Sequence, residues 1–215
     1  MAGNVKRPYD STRRRQAAVR TRRAILDAAG ELFRERGYAA TTMAAVADRA
    51  GVALDTVYAA VGAKPVLFRE LVEAAISGTD RAVPADERDY VRQIQATPDA
   101  AGKLAVYAGA LRRIHQRLAP LLQIVRAAAP VAPEIGEMWQ AIARRRAANM
   151  RRFAEELMAT GQVRPDLDVG EVADVVWATN SSEFYLLLVE DRGWEPERFE
   201  RWLADTWCRL LLTTH

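Results

Sequence analysis

The stretch that decides the fold is Thr41-Thr42-Met43-Ala44-Ala45-Val46-Ala47-Asp48-Arg49-Ala50-Gly51-Val52-Ala53-Leu54-Asp55-Thr56-Val57-Tyr58-Ala59-Ala60-Val61-Gly62-Ala63-Lys64. Met43, Val46, Ala47 and Ala50 recur at the three- and four-residue spacing of one helix face. That spacing predicts a helix over about 43–50, with Thr41 or Thr42 placed as its N-cap. Gly51 supplies a turn. A second short helix, over about 54–60, turns Val57 inward and leaves Leu54, Asp55, Thr56 and Tyr58 outside, and Gly62 ends it. Two short helices meeting at a glycine turn form a helix-turn-helix pattern.

The pattern extends in both directions. Upstream, Ile25, Leu26, Ala29, Leu32 and Phe33 share a face of a helix that starts near Ala18, and Gly37 suits the residue just past its end. Downstream, Pro65 falls in the first turn of a fourth helix carrying Val66, Leu67, Leu71 and Ile76. Gly78, Pro84, Pro98 and Gly102 punctuate a looser stretch with one short helix around 86–95. Helices then follow over about 99–118 (interrupted or kinked at Pro120), 120–129, 134–160, 169–190 with Asp168 as cap, and 195–213. β-branched alternation is absent. The expected fold class is all-α: an N-terminal three-helix helix-turn-helix domain, residues 18–63, ahead of a larger helical body, residues 64–215. Residues 1–17, polar and aperiodic, read as a flexible basic arm.

Charge is uneven along the 215 residues. Residues 1–76 hold 13 Lys and Arg against 8 Asp and Glu, and residues 77–215 hold 18 against 20. A basic first third on a slightly acidic body suits a polyanionic partner at one end. Half of the residues are hydrophobic, enough for a buried core. Cys208 is the single cysteine, and in its apolar setting beside Trp207 and Leu210 it reads as a packed thiol. His115 and His215 are the only histidines, so a histidine-rich metal site is not expected. Paired Glu-x-x-His motifs, phosphate-cradling glycine loops and a nucleophile with its base are missing, so the chain does not read as an enzyme and no cofactor is expected. No apolar run approaches the length of a membrane span and no secretory leader is present, so a cytoplasmic location is expected.

A helix-turn-helix reads DNA through the start of its second helix. Leu54, Asp55 and Thr56 therefore have the best reach to base edges: Leu54 to a thymine methyl, Thr56 to a base or phosphate, Asp55 to a cytosine amine. Asp55 has an equal alternative as a first-turn acid that complements the helix dipole. Tyr58 can donate its phenol to a phosphate, and Lys64 stands at a helix start where ammonium and backbone N–H groups can share another. Arg13, Arg14 and Arg15 belong to a run of eight basic residues against one acid within residues 1–23. Such an arm either enters the minor groove or remains a solvated, nonspecifically attracted tail.

With Thr21, Ile25-Leu26, Ala28-Ala29, Leu32-Phe33, Gly37-Tyr38, Thr41-Thr42, Val46-Ala47, Ala50-Gly51-Val52, Thr56-Val57-Tyr58, Lys64 and Leu67 in this order, residues about 21–75 resemble the DNA-binding domain of the TetR family of transcriptional regulators. The resemblance implies operator contacts, mostly to phosphates, from Thr42, Thr56, Tyr58 and Lys64. It also implies a ligand-sensing C-terminal domain that dimerises through its last two helices, and repression as the usual mode. The chain departs from the family where Ala60-Val61 replace the common His-Phe, where Ala63 and Pro65 flank the lysine, and where Ala53 replaces a serine cap. Weaker backbone anchoring is expected at those points.

The body offers candidates for a small-molecule effector pocket in Tyr107, Leu111, His115, Arg126, Trp139, Met150, Phe153, Trp177 and Ser181. Simple core packing is the plainer role for each aromatic, and His115 reads equally as a satisfied core histidine. Arg126 can pair with an anionic ligand or with a carboxylate of the body. Val172, Val176, Phe184, Leu187, Leu188, Phe199, Trp202, Leu203, Leu210 and Leu211 make the last two helices apolar enough to cross a twofold axis. A homodimer on a near-palindromic double-stranded operator, released by an effector, is the expected function. A DNA-binding regulator gated by a protein partner is the alternative, and an all-α enzyme a distant third.

Overall fold

A computed structural model describes residues 11–79 and 83–213, with side chains from Arg13 onward. Lys6 and Arg7 of the basic arm, and His215, lie outside the described residues. Among the described residues the structure is helical, with one isolated antiparallel bridge between Val163 and Leu212. The chain divides into two compact units, Met1–Phe68 and Arg69–His215. The division falls five residues beyond the boundary expected from the sequence, because it lies inside a helix rather than at its start.

The first unit contains α1 (Ser11–Ala40), α2 (Met43–Ala50), α3 (Leu54–Val61) and the beginning of α4 (Lys64–Ser77). α1 starts at Ser11, not near Ala18, so Arg13, Arg14 and Arg15 stand exposed on a helix rather than in an extended arm. Arg, Gln and Ala are strong helix formers. The side chains from Arg13 to Ala17 are exposed, so hydrophobic periodicity carries no sign of this stretch. Gly37 breaks α1 with φ 75° and ψ 178°, a backbone that only glycine adopts without strain. The buried Thr41 hydroxyl then donates to the carbonyls of Gly37 at 2.8 Å and Leu32 at 3.1 Å, satisfying the helix end. Ile25, Ala29, Phe33, Val46, Val57, Leu67 and Phe68 form the core with no exposed surface. Phe33, Tyr38 and Phe68 meet as a three-ring cluster with centroids 4.9 to 5.8 Å apart, each ring adding to what area burial contributes.

The turn between α2 and α3 is a complete left-handed cap. Gly51 has φ 66° and ψ 36°. Its N–H bonds to the Asp48 carbonyl at 3.2 Å, and the Val52 N–H bonds to the Ala47 carbonyl at 3.0 Å. Those two bonds are the Schellman pair, which satisfies the last carbonyls of α2 while reversing the chain.

The second unit holds a 3-10 turn (Ala85–Glu87), α5 (Asp89–Ala96), α6 (Ala100–Ala128), α7 (Pro133–Met158), α8 (Val169–Thr179), α9 (Ser182–Tyr185) with a π-helical turn (Leu186–Asp191), and α10 (Pro196–Leu211). α6 runs through the middle, packed by α5, α7, α9 and α10, while α7 also packs on α8. Asp99 caps α6, and Asp168 caps α8 through a reciprocal capping box with Glu171. Arg112 of α6 reaches Glu200 at 2.6 Å and Glu197 at 3.2 Å on α10.

Two expectations are corrected here. Pro120 does not divide α6, which continues to Ala128. A proline inside a helix costs about 3 kcal/mol, but Leu118, Ala119, Leu121, Leu122, Ile124 and Val125 are all buried around it, and burying several such side chains offsets that cost. Conversely, the single helix expected over 169–190 is broken after Thr179. Asn180 leaves helical geometry, and the Ser181 hydroxyl accepts from the Phe184 N–H to start α9. Thr-Asn-Ser-Ser is a run of side chains that compete for backbone hydrogen bonds.

His115 fixes this break from the opposite side. Its Nε2 lies 3.1 Å from the Asn180 carbonyl and its Nδ1 3.1 Å from the Ser182 hydroxyl. A carbonyl only accepts, so Nε2 carries the proton, and Nδ1 accepts from Ser182. The ring is 2% exposed, and burial pushes its pKa down to about 4 from an ordinary 6.5.

Two outcomes follow from this packing. Gly51→Ala destabilises the first unit by about 1 kcal/mol, because φ 66° strains any side chain although the space beside Gly51 is open. Amide exchange of the α3 backbone reads this loss, and unchanged protection would contradict it. His115 is neutral when folded and charges more readily when unfolded. Its stabilisation is therefore fully present above about pH 6.5 and is lost as pH falls toward about 4. Over that range the wild type should lose about 3 kcal/mol more than His115→Gln. All five tryptophans lie in the second unit, so tryptophan fluorescence follows its unfolding, and parallel pH curves for the two proteins would refute the assignment.

Candidate functional site

The first candidate site is the outer surface of α2 and α3. Met43, Val46 and Ala47 of α2 and Val57 and Val61 of α3 are spent on the core. That leaves Leu54, Asp55, Thr56 and Tyr58 facing outward together, with Leu54 40% and Tyr58 48% exposed. Leu54 and Tyr58, four residues apart, share one stripe of α3. An exposed leucine and tyrosine on an eight-residue helix contribute little to folding, which suits a surface that meets another molecule. Asp55 lies in the first turn, where it complements the helix dipole. Ala53 gives α3 no side-chain cap, as its sequence implies.

Thr42 is exposed and caps α2 by accepting from the Ala45 N–H at 3.1 Å. Capping uses a lone pair of the hydroxyl, so its O–H remains able to donate to a phosphate oxygen. Lys64 is held more firmly than the sequence suggests. Its ammonium donates to the Ala39 carbonyl at 3.2 Å and sits 4.4 Å from the centre of the Tyr38 ring. The charge is thereby fixed at the first residue of α4.

Two residues that hold this surface in place escape sequence reading. Arg22 belongs to α1 and donates to the Ala60 carbonyl at 2.9 Å, capping the end of α3. Ala60 is where the family commonly carries histidine, so a residue counted with the basic arm works on the recognition helix instead. Arg49 of α2 forks onto Glu35 at 2.9 and 3.1 Å and reaches Glu31 at 3.0 Å, tying α2 to α1. The guanidinium in turn holds the Glu35 carboxyl below its usual range.

The second candidate site is a cavity of about 200 Å³ within the second unit. Tyr107, Leu111 and His115 line it from α6, and Trp139, Met150 and Phe153 from α7, so six of the expected effector residues come together. Three do not. Arg126 is exposed and pairs with Glu183 at 3.2 Å, the intramolecular carboxylate that was its alternative partner. Trp177 lies outside the lining, with the Arg146 guanidinium stacked 4.7 Å from its ring centre. Ser181 is committed to capping α9.

In place of those three, the break after α8 delivers Asn180 and Ser182, and Arg146 and Tyr90 are among the further polar residues of the lining. Tyr107 stacks between Tyr90 at 6.0 Å and Trp207 at 5.6 Å, with Phe153 edge-on at 5.0 Å. Its hydroxyl accepts from the Asn180 amide at 2.9 Å. Burial pushes the Tyr107 phenol far above its ordinary range, so it stays neutral. The Asn180 side-chain oxygen and the Arg146 Nε–H are buried without hydrogen-bond partners. The Glu156 Oε2 and Trp177 Nε1 atoms are buried without partners as well, so the cavity lining holds three side chains, Asn180, Arg146 and Glu156, with hydrogen-bonding capacity left over. Cys208, half-buried with its thiol pushed up by burial, is a packing residue.

Residues 25–71 match the family described as bacterial regulatory proteins, tetR family. No curated protein sequence shows significant similarity to the chain. Among solved structures, the chain is similar to NalD, the secondary repressor of the MexAB-OprM multidrug efflux pump in Pseudomonas aeruginosa. The two share 20% identity over 92% of this chain and 100% of that one, with a TM-score of 0.70. It is also similar to SmeT, the repressor of the Stenotrophomonas maltophilia multidrug efflux pump SmeDEF, at 22% identity over 90% and 93% of the two chains, with a TM-score of 0.67. A protein from Saccharomonospora viridis solved in complex with choline shares the fold at 18% identity over 91% and 100%, with a TM-score of 0.66. Such identities carry the all-α fold along nearly the whole chain. With α2 and α3 lying inside the matched segment, residues 25–71 form a helix-turn-helix DNA-binding domain of the type found in the tetR family of bacterial regulatory proteins.

Proposed function

We propose that this regulator is a homodimeric repressor that grips a near-palindromic operator and lets go when a small molecule occupies the cavity of its second unit. The observation that carries the reading is a single chain holding both an outward-facing recognition helix and an aromatic-lined cavity with unspent buried polar groups. Leu54, Asp55 and Thr56 contact base edges, and Thr42, Tyr58 and Lys64 contact phosphates. Arg13, Arg14 and Arg15 add charge for the DNA backbone along the start of α1. SmeT has been solved in complex with triclosan, which supports small-molecule binding by a protein of this fold. The effector acts by favouring the conformation whose recognition helices are wrongly spaced for the operator.

Dimerisation is assigned to the last two helices. Val172, Val176, Phe199, Leu203 and Leu211 are buried within the chain itself, whereas Leu187 and Leu210 remain 53% and 44% exposed. Phe184 and Trp202 stack half-buried beside them. Large exposed leucines in this stretch support a second copy of the chain as their cover.

Gel shifts on the intergenic DNA beside the gene test the reading. Tyr58→Phe should weaken binding about fivefold and Lys64→Ala about tenfold, each by losing one phosphate contact. Leu187→Glu should yield a folded monomer by light scattering, with affinity for the full operator lost. Undiminished binding by the first two variants would remove the anchor assignment, and a dimeric Leu187→Glu would move the interface elsewhere.

A further inference from the structure

The cavity also says what kind of effector it takes. Its body is apolar and aromatic: Tyr107, Phe153, Leu111 and Ile114 form walls without charge. At about 200 Å³ it lies below the roughly 300–1,000 Å³ of drug-sized sites, so the occupant is small, about one ring system with a short chain.

The charges of the lining are not balanced. Arg88, Arg145, Arg146 and Arg152 stand against Asp86 and Glu156. Two of these charges are already answered within the unit. Arg145 pairs with Glu73 at 2.6 Å, and Glu156 has the Lys103 ammonium as counter-charge at 4.0 Å, although its Oε2 accepts no hydrogen bond. Arg146 is different. Its guanidinium donates to the Trp177 carbonyl at 3.4 Å and stacks on the Trp177 ring, but no carboxylate lies within ion-pair distance among the described residues, and its Nε–H has no acceptor. Glu183, a carboxylate whose charge acts on Arg146, pairs with Arg126 at 3.2 Å. A half-buried cation without a counter-charge raises the free energy of the empty protein. An anion arriving in the cavity removes that penalty and gains a planar, charge-assisted hydrogen bond.

Resting on the effector reading above, we propose that the effector is a small amphiphilic organic acid, with its ring or branched chain against Tyr107 and Phe153 and its carboxylate on Arg146. A cationic ligand would have to share Glu156 with Lys103, whose ammonium is buried and donates to the Ile94 carbonyl at 2.7 Å, or rely on Asp86, which is exposed and screened by water. The aromatic wall alone therefore does not make a cation site.

Calorimetric titration of the full chain with 4-phenylbutanoate, 4-phenylbutan-1-ol and 4-phenylbutylammonium separates the possibilities, since the three differ only in the head group. The acid should bind about tenfold or more tightly than either of the others. Arg146→Gln should bring the acid down to the alcohol while leaving alcohol affinity in place, which shows at once that the variant is folded. Arg146→Lys should recover part of the preference. Equal binding of all three, or tightest binding of the ammonium, overturns the acid assignment and leaves the cavity standing as an effector site. No heat from any of the three at millimolar concentration counts against the cavity as an effector site as well as against the acid.

Discussion

The left-handed turn at Gly51 is the constraint on which the reading head depends. Because the Gly51 and Val52 N–H groups close the end of α2 in a Schellman pair, the chain reverses within a few residues and α3 starts at once. Val57 and Val61 are then pinned inside, and the other side of α3 has no choice but to face out. Arg49 and Arg22 work to the same end. One ties α2 to α1 through Glu31 and Glu35, and the other seals the last turn of α3 at Ala60. A recognition helix of eight residues is too short to be stable alone. Its orientation comes from the cap before it, the core beneath it and the arginine after it.

The second unit achieves the opposite effect, bringing polar groups into an apolar interior at one place. The break between α8 and α9 turns the Asn180 carbonyl and Ser182 hydroxyl toward His115, which must be neutral with its proton on Nε2 to satisfy both. Asn180 in turn engages the Tyr107 hydroxyl. This network specifies the aromatic wall of the cavity, because Tyr107 stacks with Tyr90 and Trp207 and meets Phe153 edge-on. Rigid buried networks of this kind cost little only when complete. The Asn180 side-chain oxygen, buried without a partner, is the point where this one is incomplete.

Much of this was legible in the sequence, for physical reasons that differ by element. The spacing of Met43, Val46, Ala47 and Val57 revealed α2 and α3 almost to the residue, since short helices around a glycine turn have little freedom in which face is buried. α6 was harder. Pro120 signals a stop locally, and only the burial on both sides of it, a tertiary fact, overrides that signal. The start of α1 at Ser11 was invisible because its basic residues bury nothing. Tyr107, His115 and Phe153, which apolar stripes on long helices single out, line the cavity. Arg126 and Trp177 lie outside its lining, because a stripe gives a face but not the partner on the next helix. The Thr179-Asn180-Ser181-Ser182 run did carry a signal, four backbone-competing side chains inside an apolar segment, and it marks the polar corner of the cavity.

We propose that two copies of the chain present α3 to successive half-sites of DNA. Selection of bound fragments from a random double-stranded pool by the full chain, followed by sequencing, tests it directly. The account predicts enrichment of one near-palindrome whose half-sites are related by a twofold axis. Enrichment of a single unpaired half-site, or recovery of fragments with no shared sequence, would contradict it.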